Sequence, residues 1–278
     1  MHESAGQHTC GNHSIQGGKV VIPAVDVNDV THVYVNESGA ALAIEKINLT
    51  LTDGEFVSLV GPSGCGKTTL LSVIAGLITP ARGTVEIAGQ PVKGPTPKVG
   101  YMLQQDFLFP WRTIGENAVI GLELMGCLTS EKKAFTLHLL EELGLGQYVH
   151  KYPNELSGGM RQRVALVRTL ATEPELLLLD EPFAALDYQT KLQLEDLIFQ
   201  TLKDHRKTAL LVTHDITEAL AMSDRVIVLE PNPGKIRTEV VIPRRIAETL
   251  PVQSRDQEGF HALFRAIWKE FESMERKR

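Results

Sequence analysis

No stretch of this 278-residue chain approaches eighteen consecutive apolar residues, and its first residues carry no apolar signal core. These absences point to a cytoplasmic protein. Cysteine is scarce: Cys10, Cys65 and Cys127 make an odd number without paired spacing, which fits a reducing compartment and argues against a disulfide framework. Basic residues are not in excess either, and a formal net charge of −6 argues against a general nucleic-acid binder. The one basic cluster, Glu275-Arg276-Lys277-Arg278, is short and reads as a solvated tail.

Against that background the glycine-rich segment Gly61-Pro62-Ser63-Gly64-Cys65-Gly66-Lys67-Thr68 stands out. It fills every required position of the phosphate-binding pattern G-x-x-x-x-G-K-[ST] and follows the mostly apolar run Phe56 to Val60. Glycines at 61, 64 and 66 allow a tight turn that aims backbone N–H groups inward, and the helix expected from Lys67 offers its positive dipole end to phosphates. In this pattern Lys67 reaches the β- and γ-phosphates and Thr68 ligates Mg²⁺. Further on, Leu176 to Leu179 is an apolar run ending in Asp180 and Glu181, the way a buried parallel strand delivers carboxylates to a sheet edge. Asp180 is suited to hold Mg²⁺ and Glu181 to polarise an attacking water.

Between these motifs lies Leu156-Ser157-Gly158-Gly159-Met160-Arg161-Gln162-Arg163. Ser157 precedes two glycines and an expected helix, so its hydroxyl and the nearby N–H groups form a second helix-start anion site. The chain has only one phosphate loop, and a second cradle elsewhere in it implies a partner chain.

Together these motifs resemble, in order and over roughly residues 25 to 235, the ATP-binding cassette (ABC) ATPases that power membrane transporters. The resemblance implies an α/β P-loop NTPase fold: a cassette with a mixed sheet core, an antiparallel β subdomain and a helical subdomain at about 106–160. It also implies roles. Tyr34 stacks on adenine; Gly61 to Thr69, including Thr69 itself, is the phosphate loop; Gln104 contacts Mg²⁺ and the lytic water. Ser157, Gly158 and Gly159 close over ATP held by a second cassette, as in a homodimer. Asp180 and Glu181 are the metal-binding and catalytic acids, Ala184-Ala185-Leu186-Asp187 couples the two sites, and His214 contacts the γ-phosphate and orients Glu181. ATP and Mg²⁺ are the implied ligands; transmembrane permease subunits and, indirectly, an extracytoplasmic solute-binding protein are the implied partners.

Leu108-Phe109-Pro110-Trp111 after Gln104, the signature ending Met160-Arg161-Gln162-Arg163, and Asn232-Pro233-Gly234-Lys235-Ile236 resemble the nitrate, sulfonate and taurine importer branch, which also includes carriers of thiamine-precursor pyrimidines. Tyr101-Met102-Leu103 departs from that branch's usual Val-Phe. An exporter motor and a soluble ABC ATPase remain the alternatives. The aromatic cluster Phe107 to Trp111 is read as a partly exposed groove for a permease helix.

Residues 1–22, rich in Gly, Ser, His and Asn, read as a disordered extension, and its His2, His8, His13 and Cys10 match no metal-site spacing. Residues 23–240 form the cassette. Strands are expected near 27–35, 43–51, 55–60, 84–88, 98–103, 175–180, 208–213 and 224–230, and helices near 67–77, 130–143, 158–172, 189–204 and 216–222. In the tail, 241–278, Phe260, Leu263, Phe264, Ile267, Trp268 and Phe271 recur at helical spacing, the stripe of a helix packed on the cassette.

Overall fold

The structure is a computed structural model that describes residues 22–36, 39–184 and 186–276, together with the backbone of 15–16 and 19–20. His2, His8, Cys10 and His13, and most of the expected N-terminal extension, lie outside the described residues. Within it, β1 (Ile15–Gln16) pairs antiparallel with β2 (Lys19–Val20).

Two larger sheets carry the fold. β3 (Val25–Asn36) and β4 (Gly39–Leu51) are long antiparallel neighbours that start the first of them. β5 (Phe56–Val60) opens the second and leads through the glycine loop into α1 (Lys67–Ile74). β6 (Arg82–Ile87) and the two-residue β7 (Gln90–Pro91) complete the four-stranded antiparallel sheet, in the order β4-β3-β6-β7. The chain then adds β8 (Val99–Met102), β9 (Leu176–Asp180), β10 (Thr208–Thr213), β11 (Arg225–Glu230) and β12 (Lys235–Val241) to the second sheet. Its order is β12-β11-β5-β10-β9-β8, with five parallel strands and β12 antiparallel at one edge.

The central strands behave as their sequences require. Every residue of β5, β9 and β10 is buried, and such runs suit a parallel sheet covered on both faces. Register then fixes the chemistry. Val60 pairs with Thr213 and Val212 with Asp180, so Gly61, Glu181 and His214 all leave the sheet at one edge.

Between β8 and β9 lies the helical region: α2 (Ile114–Leu124), α3 (Ser130–Glu142) and α4 (Gly158–Leu170). The sequence reading missed α2. Its signal was the capping box Thr113-x-x-Glu116, whose reciprocal hydrogen bonds are both formed. β12 was also missed, since its polar, half-exposed residues carry no apolar run. α5 (Tyr188–Asp204) and α6 (Ile216–Met222) flank β10, and α7 (Arg244–Ala247), α8 (Pro251–Ser254) and α9 (Phe260–Glu275) follow β12.

The apolar stripe of α9 packs as expected. Phe260 and Ile267 are buried beside α6 and β11, Leu263, Phe264 and Phe271 pack against them, and Trp268 stays half exposed. No helix among the described residues is long and apolar enough to cross a membrane.

One buried polar residue shapes the helical region. The Asn117 side chain is fully buried; its oxygen accepts from Phe109 N at 2.7 Å, and its amide donates to the carbonyls of Phe109, Arg112 and Thr113 at 3.0–3.1 Å. It therefore pins the loop that presents Pro110 and Trp111. An Asn117→Leu variant strands the N–H of Phe109 and the carbonyl of Arg112, each at about 1–3 kcal/mol, while the carbonyls of Phe109 and Thr113 keep backbone donors. A denaturant titration should show a lower midpoint at unchanged slope.

Candidate active site

The phosphate loop is shaped by contacts that exclude side chains. Gly66 has φ of +92°, and a Cβ there would fall 2.4 Å from Ile44 Cγ2. α1, which follows, differs from its successors. Thr113, Thr129, Ser157, Asp187 and Asp215 cap α2 to α6 with a side-chain oxygen, whereas α1 starts at Gly66 with no side-chain cap. Its first-turn amides are left for an anion. Lys67 is buried, and its ammonium donates to the loop carbonyls of Gly61 (2.8 Å) and Pro62 (3.2 Å), folding back on the loop. Burial pushes the Cys65 thiol above its usual range, the behaviour of an inert core residue.

An open cavity of about 680 Å³ lies over this loop. Ser63 to Thr69, Tyr34, Glu181 and His214 all line it, so the structure brings these expected site residues together. Tyr34 projects from β3, hydrogen-bonds Thr69 Oγ1 at 3.3 Å and meets His32 edge-on. Ala41, Leu42, Ala43 and Asn232 complete the wall. Sequence reasoning missed these four. For Asn232 the signal was the following Pro233-Gly234: Gly234 passes so close to the phosphate loop that a Cβ would lie 2.2 Å from the Cys65 carbonyl, and its backbone pairs with Ala43 and Glu45.

The acids lie where register sends them. Glu181 adopts φ of +47°, a conformation costing a non-glycine residue about 1–3 kcal/mol. Its carboxylate is 3.3 Å from His214 Nδ1. Asp180 is buried behind it and accepts a hydrogen bond from Tyr101 at 3.3 Å. Burial raises the Asp180 carboxyl above its ordinary range, against the pull of Tyr101, Lys67 and Thr68. Burial and the neighbouring Asp180 likewise raise Tyr101. The hydroxyl of Thr68 and the carboxylate of Asp180 are hard oxygen donors beside one another, a pair that fits Mg²⁺. Added positive charge would offset the burial that disfavours the ionised carboxylate.

Gln104 is not part of this cavity. It is exposed and lines a neighbouring one of about 450 Å³ with Gln105, Asp106, Phe107, Gly158, Arg161, Gln162 and Leu186. α4 holds this glutamine loop firmly. Gln162 donates to the Gln104 carbonyl (2.8 Å), Arg161 pairs with Asp106 (2.9 Å), and Arg168 donates to the carbonyls of Asp106 and Phe107.

Ser157, Gly158 and Gly159 lie outside the phosphate cavity as well. Ser157 is exposed and accepts from Met160 N at 3.3 Å, so its hydroxyl caps its own helix. Asp187 is exposed and caps α5, accepting from Thr190 N at 3.0 Å. Hydrogen bonds from the Thr190 hydroxyl and then its N–H hold the Asp187 carboxyl below the usual range.

The family model described as ABC transporter matches residues 44–184. The ABC transporter ATP-binding protein YtlC of Bacillus subtilis strain 168 is 53% identical over 251 residues, 90% of this chain and 96% of that protein. The nitrate import ATP-binding protein NrtD of Synechocystis is 43% identical, covering 78% of this chain and 82% of its own. The taurine import ATP-binding protein TauB of Yersinia pestis is 41% identical over 76% of this chain and 84% of its own. Among solved structures, the dimeric post-hydrolysis state of the ATP-binding cassette MJ0796 bound to ADP and Pi superimposes with a TM-score of 0.69 at 32% identity, over 79% of this chain and 99% of that one. The chain belongs to the ABC transporter family, as an ATP-hydrolysing ATP-binding subunit.

Proposed function

We propose that this chain is the motor of an importer, working as a pair of copies at the cytoplasmic face of a membrane. The pair powers uptake of a small solute of the nitrate, sulfonate or taurine kind, or a thiamine-precursor-like one, through a separate permease. The observation that carries the reading is the split site: the phosphate loop, Glu181 and His214 share one cavity, whereas Ser157 to Gly159 do not line it and Ser157 is exposed. One copy's signature therefore serves the other's ATP. The nitrate and taurine import relatives support the direction of transport.

In this mechanism Tyr34 stacks on adenine, the amides of Gly61 to Thr69 cradle the phosphates, and Lys67 leaves its loop carbonyls for the β- and γ-phosphates. Thr68, Asp180 and Gln104 would hold Mg²⁺, which neutralises phosphate charge when bound. For Gln104 to join them, the glutamine loop would have to move together with α4, which grips it. His214 hydrogen-bonds the γ-phosphate and orients Glu181, which takes a proton from the attacking water. Ser157 and Gly159 of the second copy close the other side, and Asp187 links the two sites.

The permease surface is the glutamine loop and the groove beside it. Phe107 is 57% exposed and Trp111 71%, while Leu108 is buried beneath them. From Thr113, two residues beyond Trp111, a groove of about 700 Å³ opens along α2 and α3, lined by Val119, Leu128, Leu137 and Val149 and rimmed by Glu116, Glu123, Lys133 and Glu141. An aromatic anchor near a groove with apolar and charged walls suits an amphipathic helix. A docked helix bears on α4 directly, because Arg161, Gln162 and Arg168 grip the loop it touches. An extracytoplasmic binding protein delivers the solute to the permease.

Two variants test the reading. Glu181→Gln should keep ATP affinity, accumulate ATP-dependent dimers in size-exclusion chromatography, and lose turnover by about 10²–10⁴-fold; near-normal turnover removes Glu181 as the base. Trp111→Glu should abolish solute uptake in vesicles carrying the permease while ATP hydrolysis continues, and uptake with normal coupling would sink the groove assignment.

A further inference from the structure

The first turn of α5 meets two loops of the site, the signature and the loop of His214. Its cap is Asp187. Thr190 packs on the signature, for a Cβ at Gly159 would lie only 2.4 Å from Thr190 Cγ2. Lys191, next in the chain, reaches toward the loop of His214. Its ammonium is 2.7 Å from Asp215 Oδ2 and 2.5 Å from Glu218 Oε1.

Those two carboxylates bracket His214. Asp215 follows it directly and caps α6 through the N–H groups of Thr217 (2.7 Å) and Glu218 (3.3 Å). Glu218 accepts from the hydroxyl of Thr213, the residue just before His214. Lys191, Thr213 and Glu218 also line a small cavity of about 110 Å³ with Glu181 and His214 themselves. Ionic and catalytic groups thus face one another across a space a few waters wide.

The cluster is too buried to be a solvated surface pair. Glu218 is 4% exposed, and burial pushes its carboxyl up despite its bonds to Lys191 and Thr213. Burial works against the Lys191 charge, yet the hydrogen bonds it donates to Asp215 and Glu218 hold its ammonium above the ordinary lysine value. One turn along α5, Glu195 is fully buried and pairs with Arg255 at 2.5 Å, which ties the cluster to the C-terminal segment.

We propose that Lys191 is a positioning residue for ATP hydrolysis: clamping Asp215 and Glu218, it fixes His214 against Glu181 and ties that pair to the signature of the same subunit. The two ends of this tie serve different nucleotides. His214 acts on the subunit's own ATP, whereas the signature closes the partner's. Closure at one site therefore sets the catalytic pair of the other. The proposal rests on the roles given above to Glu181, His214 and the signature.

The test is steady-state ATPase of the full chain with Lys191→Met, Lys191→Arg and the double variant Lys191→Met/Glu218→Gln. The double variant removes the carboxylate that Lys191→Met alone would strand, so folding does not decide the outcome. In the methionine variants kcat should fall roughly 10- to 100-fold with KM for ATP nearly unchanged, and the Hill coefficient should drop to about 1. Lys191→Arg should restore most of both. If the folded, ATP-binding double variant keeps wild-type kcat and cooperativity, or if losses track melting temperature alone, the proposal is overturned. His214→Ala in the same assay separates the two readings. Full turnover there would refute the histidine's role, whereas an inactive His214→Ala beside unaffected Lys191 variants would refute only the clamp.

Discussion

The nucleotide site depends on the in-register pairing of three fully buried parallel strands. β5 and β10 end level and β9 one residue earlier, and the residues that leave them are Gly61, His214 and Glu181. A one-residue slip would turn every side chain to the opposite face and separate the carboxylate from the loop. The apolar content of these strands therefore does more than fill a core: it sets the distance between a phosphate cradle and the groups that act on phosphate. The left-handed backbone at Glu181 is a local cost that this packing sustains.

A second constraint joins the two sheets. Gly234 wedges its backbone between the Cys65 and Ala43 carbonyls, and Lys235 pairs with Glu45 at 2.8 Å. The antiparallel sheet that carries Tyr34 is thereby held against the phosphate loop. On the other side of the molecule, α4 grips the glutamine loop through Gln162, Arg161 and Arg168, and α5 grips the His214 loop through Lys191. These two loops of the site are each tied to a helix whose opposite end lies elsewhere in the cassette, the arrangement a motor needs to turn local closure into movement.

Much of this was legible in the sequence, for definite reasons. The strands of the central sheet are short apolar runs, and the chemistry sits at their ends, so Lys67, Asp180, Glu181 and His214 could be placed from local pattern together with family resemblance. The stripe of α9 was equally plain, because its aromatics recur at helical spacing. What stayed hidden depends on tertiary context. α2 has a buried asparagine, Asn117, in its apolar face, which blurs the periodicity. Glu195 and Glu218 look like the solvated charges of ordinary helices until their partners, Arg255 and Lys191, arrive from distant segments. Asn232 enters the cavity only because Gly234 can approach the phosphate loop. Gln104, expected to contact Mg²⁺ and the lytic water, lines the other cavity instead, because no local signal says which cavity a residue at a strand end faces.

The central claim is that a working site is assembled from two copies. It is tested most directly by mixing two defective chains, one with Lys67→Ala and one with Ser157→Arg, and counting nucleotides per dimer by native mass spectrometry. The account predicts that neither chain alone forms ATP-bound dimers, while the mixture forms heterodimers holding one ATP at the single intact composite site. A mixture that forms no such heterodimer, or ATP-bound dimers of either chain alone, would contradict it.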